Sequence, residues 1–130
     1  MTGPENTFIA SVHKHLPHSL YRIKNHNVYN SGQPDCWYSG PAADLWIEYK
    51  FVALPKRENT MVSIDLSDLQ KNWISSRAAE GRRVGVIVGC KEGGVWFPNT
   101  TWANQLTAQQ FRASIESRKT LADLILKSVS

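Results

Sequence analysis

Two carboxylates and a lysine are the residues of this chain best suited to chemistry. Asp35 follows a Gly32-x-Pro34 turn, Glu48 comes thirteen positions later, and Lys50 follows in a strongly apolar run, DLWIEYKFVAL. Strand alternation puts Trp46, Glu48 and Lys50 on one face and Ile47, Tyr49 and Phe51 on the other. A carboxylate and an ammonium on so apolar a strand are costly to bury unless paired or metal-bound. If Asp35 lies at the same level on a neighbouring strand, the two acids form an oxygen cage with an open side. Hard cations such as Mg²⁺ take oxygen ligands and keep several waters. Such a cation acidifies a water and neutralises charge on a phosphate oxygen. Lys50 would orient that water or stabilise the crowded phosphate. The same spacing also describes an ordinary surface ion pair on a solvent-facing stripe, and spacing alone leaves both readings open.

The elements that must position these residues follow from periodicity and turn chemistry. A first helix is expected over Gly3 to Leu16: Pro4 suits its first turn, Phe8, Ile9, Val12 and Leu16 form its apolar stripe, and Pro17 ends it. Tyr21 to Lys24 alternates as a short strand, and His26 to Gly32 is turn-rich. Asp35 to Tyr38 is a second strand, ended by Ser39-Gly40-Pro41. Asp44 to Leu54 is the strongest strand and is expected at the centre of the sheet. Val62, Ile64 and Leu66 lead, after the polar loop Pro55 to Thr60, into a helix from Ser67 to Ala79, with Gly81 as its stop. Val84 to Cys90 is another buried strand, and Glu92-Gly93-Gly94 is expected to turn it into Val95-Trp96-Phe97. Thr107 to Gln110 opens a last helix as a capping box, with a break near Ser117. The fold class is therefore α/β, a central mixed sheet of about five strands flanked by helices.

Composition sets the bounds. A chain of 130 residues is expected to be one domain, spanning 1–130, with a real core. The formal charge of +4 fits a polyanionic partner without requiring one. Cys36 and Cys90 have no metal-site spacing and read as buried, reduced thiols. The polar, acidic start MTGPENTF carries no secretory signal, and no apolar run reaches membrane-spanning length, so an intracellular, cytoplasmic protein is expected.

The ordered set of Gly32-x-Pro34-Asp35, Glu48 and Lys50 resembles the PD-(D/E)XK nuclease superfamily. It is similar in particular to the small archaeal-type Holliday junction resolvases and to VRR-NUC-like phage endonucleases. In that group a glutamate of the first helix joins the site, and Glu5 matches it; a glutamine of the helix after the motif strands often contributes, and Gln70 in LSDLQKNW matches. The resemblance covers roughly Pro4 to Phe97. It implies a restriction-endonuclease-like core and a Mg²⁺- or Mn²⁺-dependent endodeoxyribonuclease that hydrolyses phosphodiesters. It implies Asp35, Glu48 and the Tyr49 backbone carbonyl as metal ligands, with Lys50 positioning the water and Glu5 and Gln70 in support. It also suggests a homodimer, and either a junction-resolving enzyme or a phage nuclease of homing or nicking type, acting in the host cell.

Local readings compete at two of these positions. Glu5 suits the positive end of its helix, and Ser67-x-x-Gln70 is a capping box, so two roles compete for the Gln70 side chain. Basic residues offer phosphate contacts, with Arg22, Lys24 and His26 leading towards Asp35 and Lys56 with Arg57 just beyond the main strand. Duplex and branched DNA present the same phosphates and are not distinguished by charge. Tyr29 and Trp37, which flank the motif, are read as packing rather than base stacking, and Cys36 as core. The alternative function is a non-catalytic DNA-binding module on a nuclease-like fold, a reading that the retained Asp35, Glu48 and Lys50 oppose.

Overall fold

The computed structural model describes residues 3–25 and 32–130, so His26 and Tyr29 lie outside the described residues. The elements run α1 (Pro4–His13), β1 (Tyr21–Lys24), β2 (Cys36–Ser39), β3 (Asp44–Phe51), α2 (Asp68–Ala79), β4 (Val84–Cys90), β5 (Gly93–Pro98), a 3-10 turn (Thr101–Ala103), α3 (Ala108–Ser114) and α4 (Arg118–Val129). The five strands form one mixed sheet in the order β1-β2-β3-β4-β5. Only β3 and β4 are parallel, joined by the α2 crossover; the other pairs are antiparallel. β3 is the middle strand, as its apolar run predicts. Every residue of β4 is buried, as expected of a parallel strand covered on both faces.

Each face carries its own core. On one, Phe8, Ile9 and Val12 of α1 and Leu121 and Ile125 of α4 pack on Leu45, Ile47 and Tyr49 of β3. On the other, Ile74 of α2 and Phe111 of α3 pack on Val84, Val86 and Val88 of β4, with Trp46 of β3 against them. The alternation read for β3 thus holds. α1 is seated closely: a Cβ at Gly89 of β4 would run into the Phe8 ring. That contact fixes the first turns of α1, and with them Glu5, at the end of the sheet where β2 begins.

The last third of the chain departs from the expected pattern at the β4–β5 turn and breaks its last helix near Ser117 as expected. Lys91 and Glu92 alone make the β4–β5 turn, and Gly93 and Gly94 belong to β5 rather than to the turn. Their small size is used against a distant segment: a Cβ at Gly93 would strike the Glu116 carbonyl, and Gly94 bridges Glu116 in both directions, at 3.0 and 2.8 Å. That bridge splits the last helical stretch in two. Ile115 is extended, and Ser117 caps α4 by accepting from the Thr120 amide at 3.0 Å. Among the described residues no helix is long and apolar enough to cross a membrane.

Candidate active site

The strand pairing creates the opening in which the candidate residues meet. β2 and β3 pair as far as Cys36 opposite Ile47, and there the ladder stops. The Trp46 and Val52 amides donate towards β4, to the Arg83 and Gly89 carbonyls at 3.0 and 2.9 Å. The amide of Tyr49 therefore points to the opposite edge, where β2 has ended. Asp35 takes the place of the missing strand: its Oδ2 accepts the Tyr49 N–H at 3.0 Å. In a strand the N–H and C=O of one residue share an edge, so the Tyr49 carbonyl opens on the Asp35 side too. Its phenol, on the other face, meets the Tyr38 hydroxyl at 2.7 Å, and that hydroxyl meets His13 Nε2 at 2.7 Å. This buried chain ties α1, β2 and β3 together directly behind the carboxylates. Burial holds the His13 imidazole down, to about 4, with Arg22 and Lys24 adding in the same direction, so it is neutral in the fold.

Among the described residues Glu48 is the only buried acidic or basic side chain, at 2% exposure. Gln70 Nε2 donates to its Oε2 at 3.1 Å, and Lys50 Nζ lies 3.8 Å from the same oxygen. Its other oxygen, Oε1, is buried without a hydrogen-bond partner. Burial first, and then the Asp35 carboxylate, push the Glu48 carboxyl up to about 9; Lys50 pulls weakly the other way. Glu5 also feels the group. Burial raises its carboxyl, the charge of Lys50 lowers it, and that of Asp35 raises it again. Glu5, Asp35, Glu48, Lys50 and Gln70 therefore gather at one end of the sheet.

Gly32 explains how Asp35 arrives there. Its φ is +94°, a left-handed value natural to glycine, and a Cβ would collide with the Leu69 carbonyl and the Gln70 amide. The turn before Asp35 thus lies backbone-to-backbone against the first turn of α2. That helix start is fixed by a full capping box, with Ser67 Oγ accepting from the Gln70 amide at 3.1 Å and Gln70 Oε1 accepting from the Ser67 amide at 2.9 Å.

Other singled-out residues lie elsewhere. Arg22 and Lys24 pair with Tyr38 and Cys36, so their side chains are on the α1 face of the sheet and not on the Glu48 face. Lys56 and Arg57 are exposed on the loop beyond β3, and the Arg112 guanidinium holds that loop to α3 through the Pro55 carbonyl at 2.7 Å. Cys36 and Cys90 are buried free thiols, and burial pushes Cys36 up to about 12.

Among the described residues no group of three or more His, Cys, Asp or Glu is arranged for a metal. What exists is smaller: two adjacent carboxylates, one with an orphaned buried oxygen, and a carbonyl on the same edge. These are hard oxygen donors with a charge conflict that a divalent cation would remove, and they fit Mg²⁺ or Mn²⁺.

No protein-family model matches this sequence, and no curated protein matches it. A solved structure does match in three dimensions. It is Hjc from Archaeoglobus fulgidus, a Holliday junction resolvase from an archaeal hyperthermophile, with a TM-score of 0.55 and 13% identity over 93% of this chain and 97% of that one. The chain shares the fold of that structure. At that identity the likeness speaks for the architecture, a mixed five-stranded sheet flanked by four helices, and the reading of the side chains rests on the geometry above.

Proposed function

We propose that this protein is a metal-dependent DNA endonuclease of the junction-resolving kind, a single domain over residues 1–130 that hydrolyses phosphodiesters at the Asp35, Glu48 and Lys50 centre. The observation that carries this reading is the buried Glu48 carboxyl, which has Gln70 and Lys50 on one oxygen, no donor on the other, and the Asp35 carboxylate beside it. A purely structural carboxylate at 2% exposure would be expected to have its oxygens satisfied. Asp35, Glu48 and the Tyr49 carbonyl would hold Mg²⁺ or Mn²⁺. The cation, when bound, supplies charge neutralisation for the phosphate and a more acidic water.

The rest is the work of this chain's own side chains. The Tyr49 amide holds Asp35 in place, and the Gln70 amide fixes the Glu48 rotamer. Lys50 Nζ lies 3.8 Å from Glu48 Oε2 and would present its ammonium to a water or a phosphate oxygen held there. Glu5, at the start of α1, adds a third acid that senses both Lys50 and Asp35. His26, Lys56 and Arg57 would contact phosphates further along the strands, whereas Arg22 and Lys24, on the α1 face, would not.

The fold likeness to a Holliday junction resolvase supports branched DNA as substrate. A homodimer suits that substrate, because a four-way junction offers two equivalent strands to cut. A phage enzyme acting in its host cell, nicking or cutting duplex DNA, is the variant to separate from it. The deciding experiment incubates the protein with linear, supercoiled and four-way-junction DNA in Mg²⁺ or Mn²⁺. Junction cutting that falls about a hundredfold or more in Asp35→Ala and in Glu48→Ala is the expected result. Failure of the wild type to cut any of the three, or full activity in both variants, overturns the proposal.

A further inference from the structure

A row of aromatic rings crosses the sheet on the Glu48 face, immediately behind the acids. Tyr21 of β1 stands edge-on to Trp37 of β2, with centroids 5.6 Å apart. Trp37 lies nearly parallel to Trp46 of β3, at 5.6 Å and 18°. Trp46 meets Trp73 of α2 at 5.2 Å, and the Arg77 guanidinium lies over Trp73 at 5.4 Å. α2 lies against β4 and closes the far end of this row. At the near end Tyr21 and Ile23 stay 56% and 45% exposed. Between Ile23, Pro34, Trp37 and Trp46 there is a cavity of about 340 Å³, with Lys24 and Gln33 at its rim. Trp37 Nε1 is buried there without a hydrogen-bond partner.

The register places this cavity against the candidate site. Trp37 and Trp46 are directly opposite one another, and two residues further along the same strands come Asp35 and Glu48. Two strand residues span about 7 Å. A nucleotide whose phosphate lies at the acids would therefore have a base within reach of the indoles. Aromatic faces bind bases by stacking, which needs an unpaired or swung-out base, because a base within a continuous duplex is already stacked on both sides.

We infer that the Trp37–Trp46 shelf is a base-stacking site for an unpaired nucleotide next to the cleaved phosphate. The preferred substrate is then DNA with a discontinuity at that point, such as a bulge, a flap or a junction arm. Stacking on an indole is sequence-tolerant, because every base has a π-face. This inference rests on the endonuclease reading for the phosphate position.

The test measures binding of the full chain in EDTA, where no cutting occurs, to a paired duplex and to the same duplex with one unpaired adenine. Tryptophan fluorescence and gel shift report binding. The wild type is expected to prefer the unpaired substrate about tenfold, the fold-change of one stacked base. Trp37→Ala should bring the ratio of the two affinities close to one, and Trp37→Phe should restore most of it. Tyr21→Ala, at an exposed position, gives a partial loss without risk to the core. Equal binding by the wild type, or an undiminished ratio in Trp37→Ala, overturns the inference. So does a stable dimer that buries the shelf and that Tyr21→Ala dissociates without changing the ratio. Cleavage assays separate this failure from failure of the endonuclease reading. A protein that cuts DNA with no unpaired-base preference loses only the shelf, whereas one that shows the preference and cuts nothing keeps the shelf and loses the enzyme.

Discussion

Gln70 and Glu48 are joined by a single hydrogen bond that also fastens a helix to the sheet. The Gln70 amide nitrogen donates to Glu48 Oε2 at 3.1 Å while its oxygen accepts from the Ser67 amide at 2.9 Å. The sequence makes helix capping and site support competitors for this side chain, yet the two ends of one amide serve both. The capping box orients the donor end, so the geometry of the helix start becomes the geometry of the carboxylate. Gln70→Glu separates the roles. It keeps an oxygen for the Ser67 amide but replaces the donor with a further acid beside Glu48. Junction cleavage should fall by at least about tenfold while the cap persists, as read by kcat and by helical circular dichroism. Gln70→Ala should also lose the Gln70 half of the capping box while the Ser67 hydroxyl keeps its backbone donor, a loss of less than about 1 kcal/mol read as a slightly lower denaturation midpoint.

The carboxyl of Glu48 makes stability depend on pH in an unusual direction. Its folded value, about 9, lies above the ordinary 4.5, so between those values the folded chain holds a proton that the unfolded chain has lost. Stability is therefore full at low pH and is lost as pH rises towards 9. His13 works the other way. Its folded value of about 4 lies below the ordinary 6.5, so its neutral form adds stability that disappears as pH falls from 6.5. The clean window for Glu48 is thus above 6.5. In EDTA the melting temperature of the wild type should decline from there towards pH 9, and Glu48→Gln should flatten the decline. A wild-type curve that rises over this window would contradict the protonated state.

Asp35 tests whether the pair of acids responds to a cation. Asparagine keeps an oxygen for the Tyr49 amide, so Asp35→Asn should leave the 3.0 Å contact and the fold intact. It removes the like charge that helps to push Glu48 up. At pH 8 in EDTA the variant should melt no lower than the wild type. Millimolar Mg²⁺ should raise the melting temperature of the wild type and have little effect on Asp35→Asn. Equal Mg²⁺ shifts in both proteins would remove Asp35 from the ligand set.

What the sequence made legible follows the range of the interactions involved. Strand alternation placed Glu48 and Lys50 together on β3, and the capping boxes at Ser67 and Thr107 are local and form as read. The faces of Arg22 and Lys24 were not legible, because the face of a short edge strand depends on which β2 residues it pairs with, here Tyr38 and Cys36. The role of Gly93 and Gly94 was hidden for a similar reason: what demands their small size is the Glu116 backbone, more than twenty positions away. The Tyr49–Tyr38–His13 chain behind the site had no signal at all, since its members share no spacing and meet only when α1 lies on the sheet.

Gly32 gives the sharpest test that backbone placement, and not the acids alone, makes the site. Any side chain there faces two obstacles at once: a φ of +94° that strains an L-residue and a collision with the Leu69 carbonyl at the start of α2. The collision partners are backbone atoms of a capped helix, so relief must come from the turn itself. Gly32→Ala should therefore move the Pro34-Asp35 segment away from α2 and draw the Asp35 carboxylate off the Tyr49 amide. The core clusters on both faces lie beyond this turn, so the chain should still fold, with a loss of about 1–3 kcal/mol at most. Cleavage and the Mg²⁺-induced rise in melting temperature should both drop steeply, by about tenfold or more in rate. Gly81, also at positive φ but with open space around its Cβ, is the control. Gly81→Ala carries the conformational strain without the collision, so it should lower the melting temperature and leave cleavage at the wild-type level. Equal losses of activity in the two variants would mean that Gly32 acts through general stability and not through the position of Asp35.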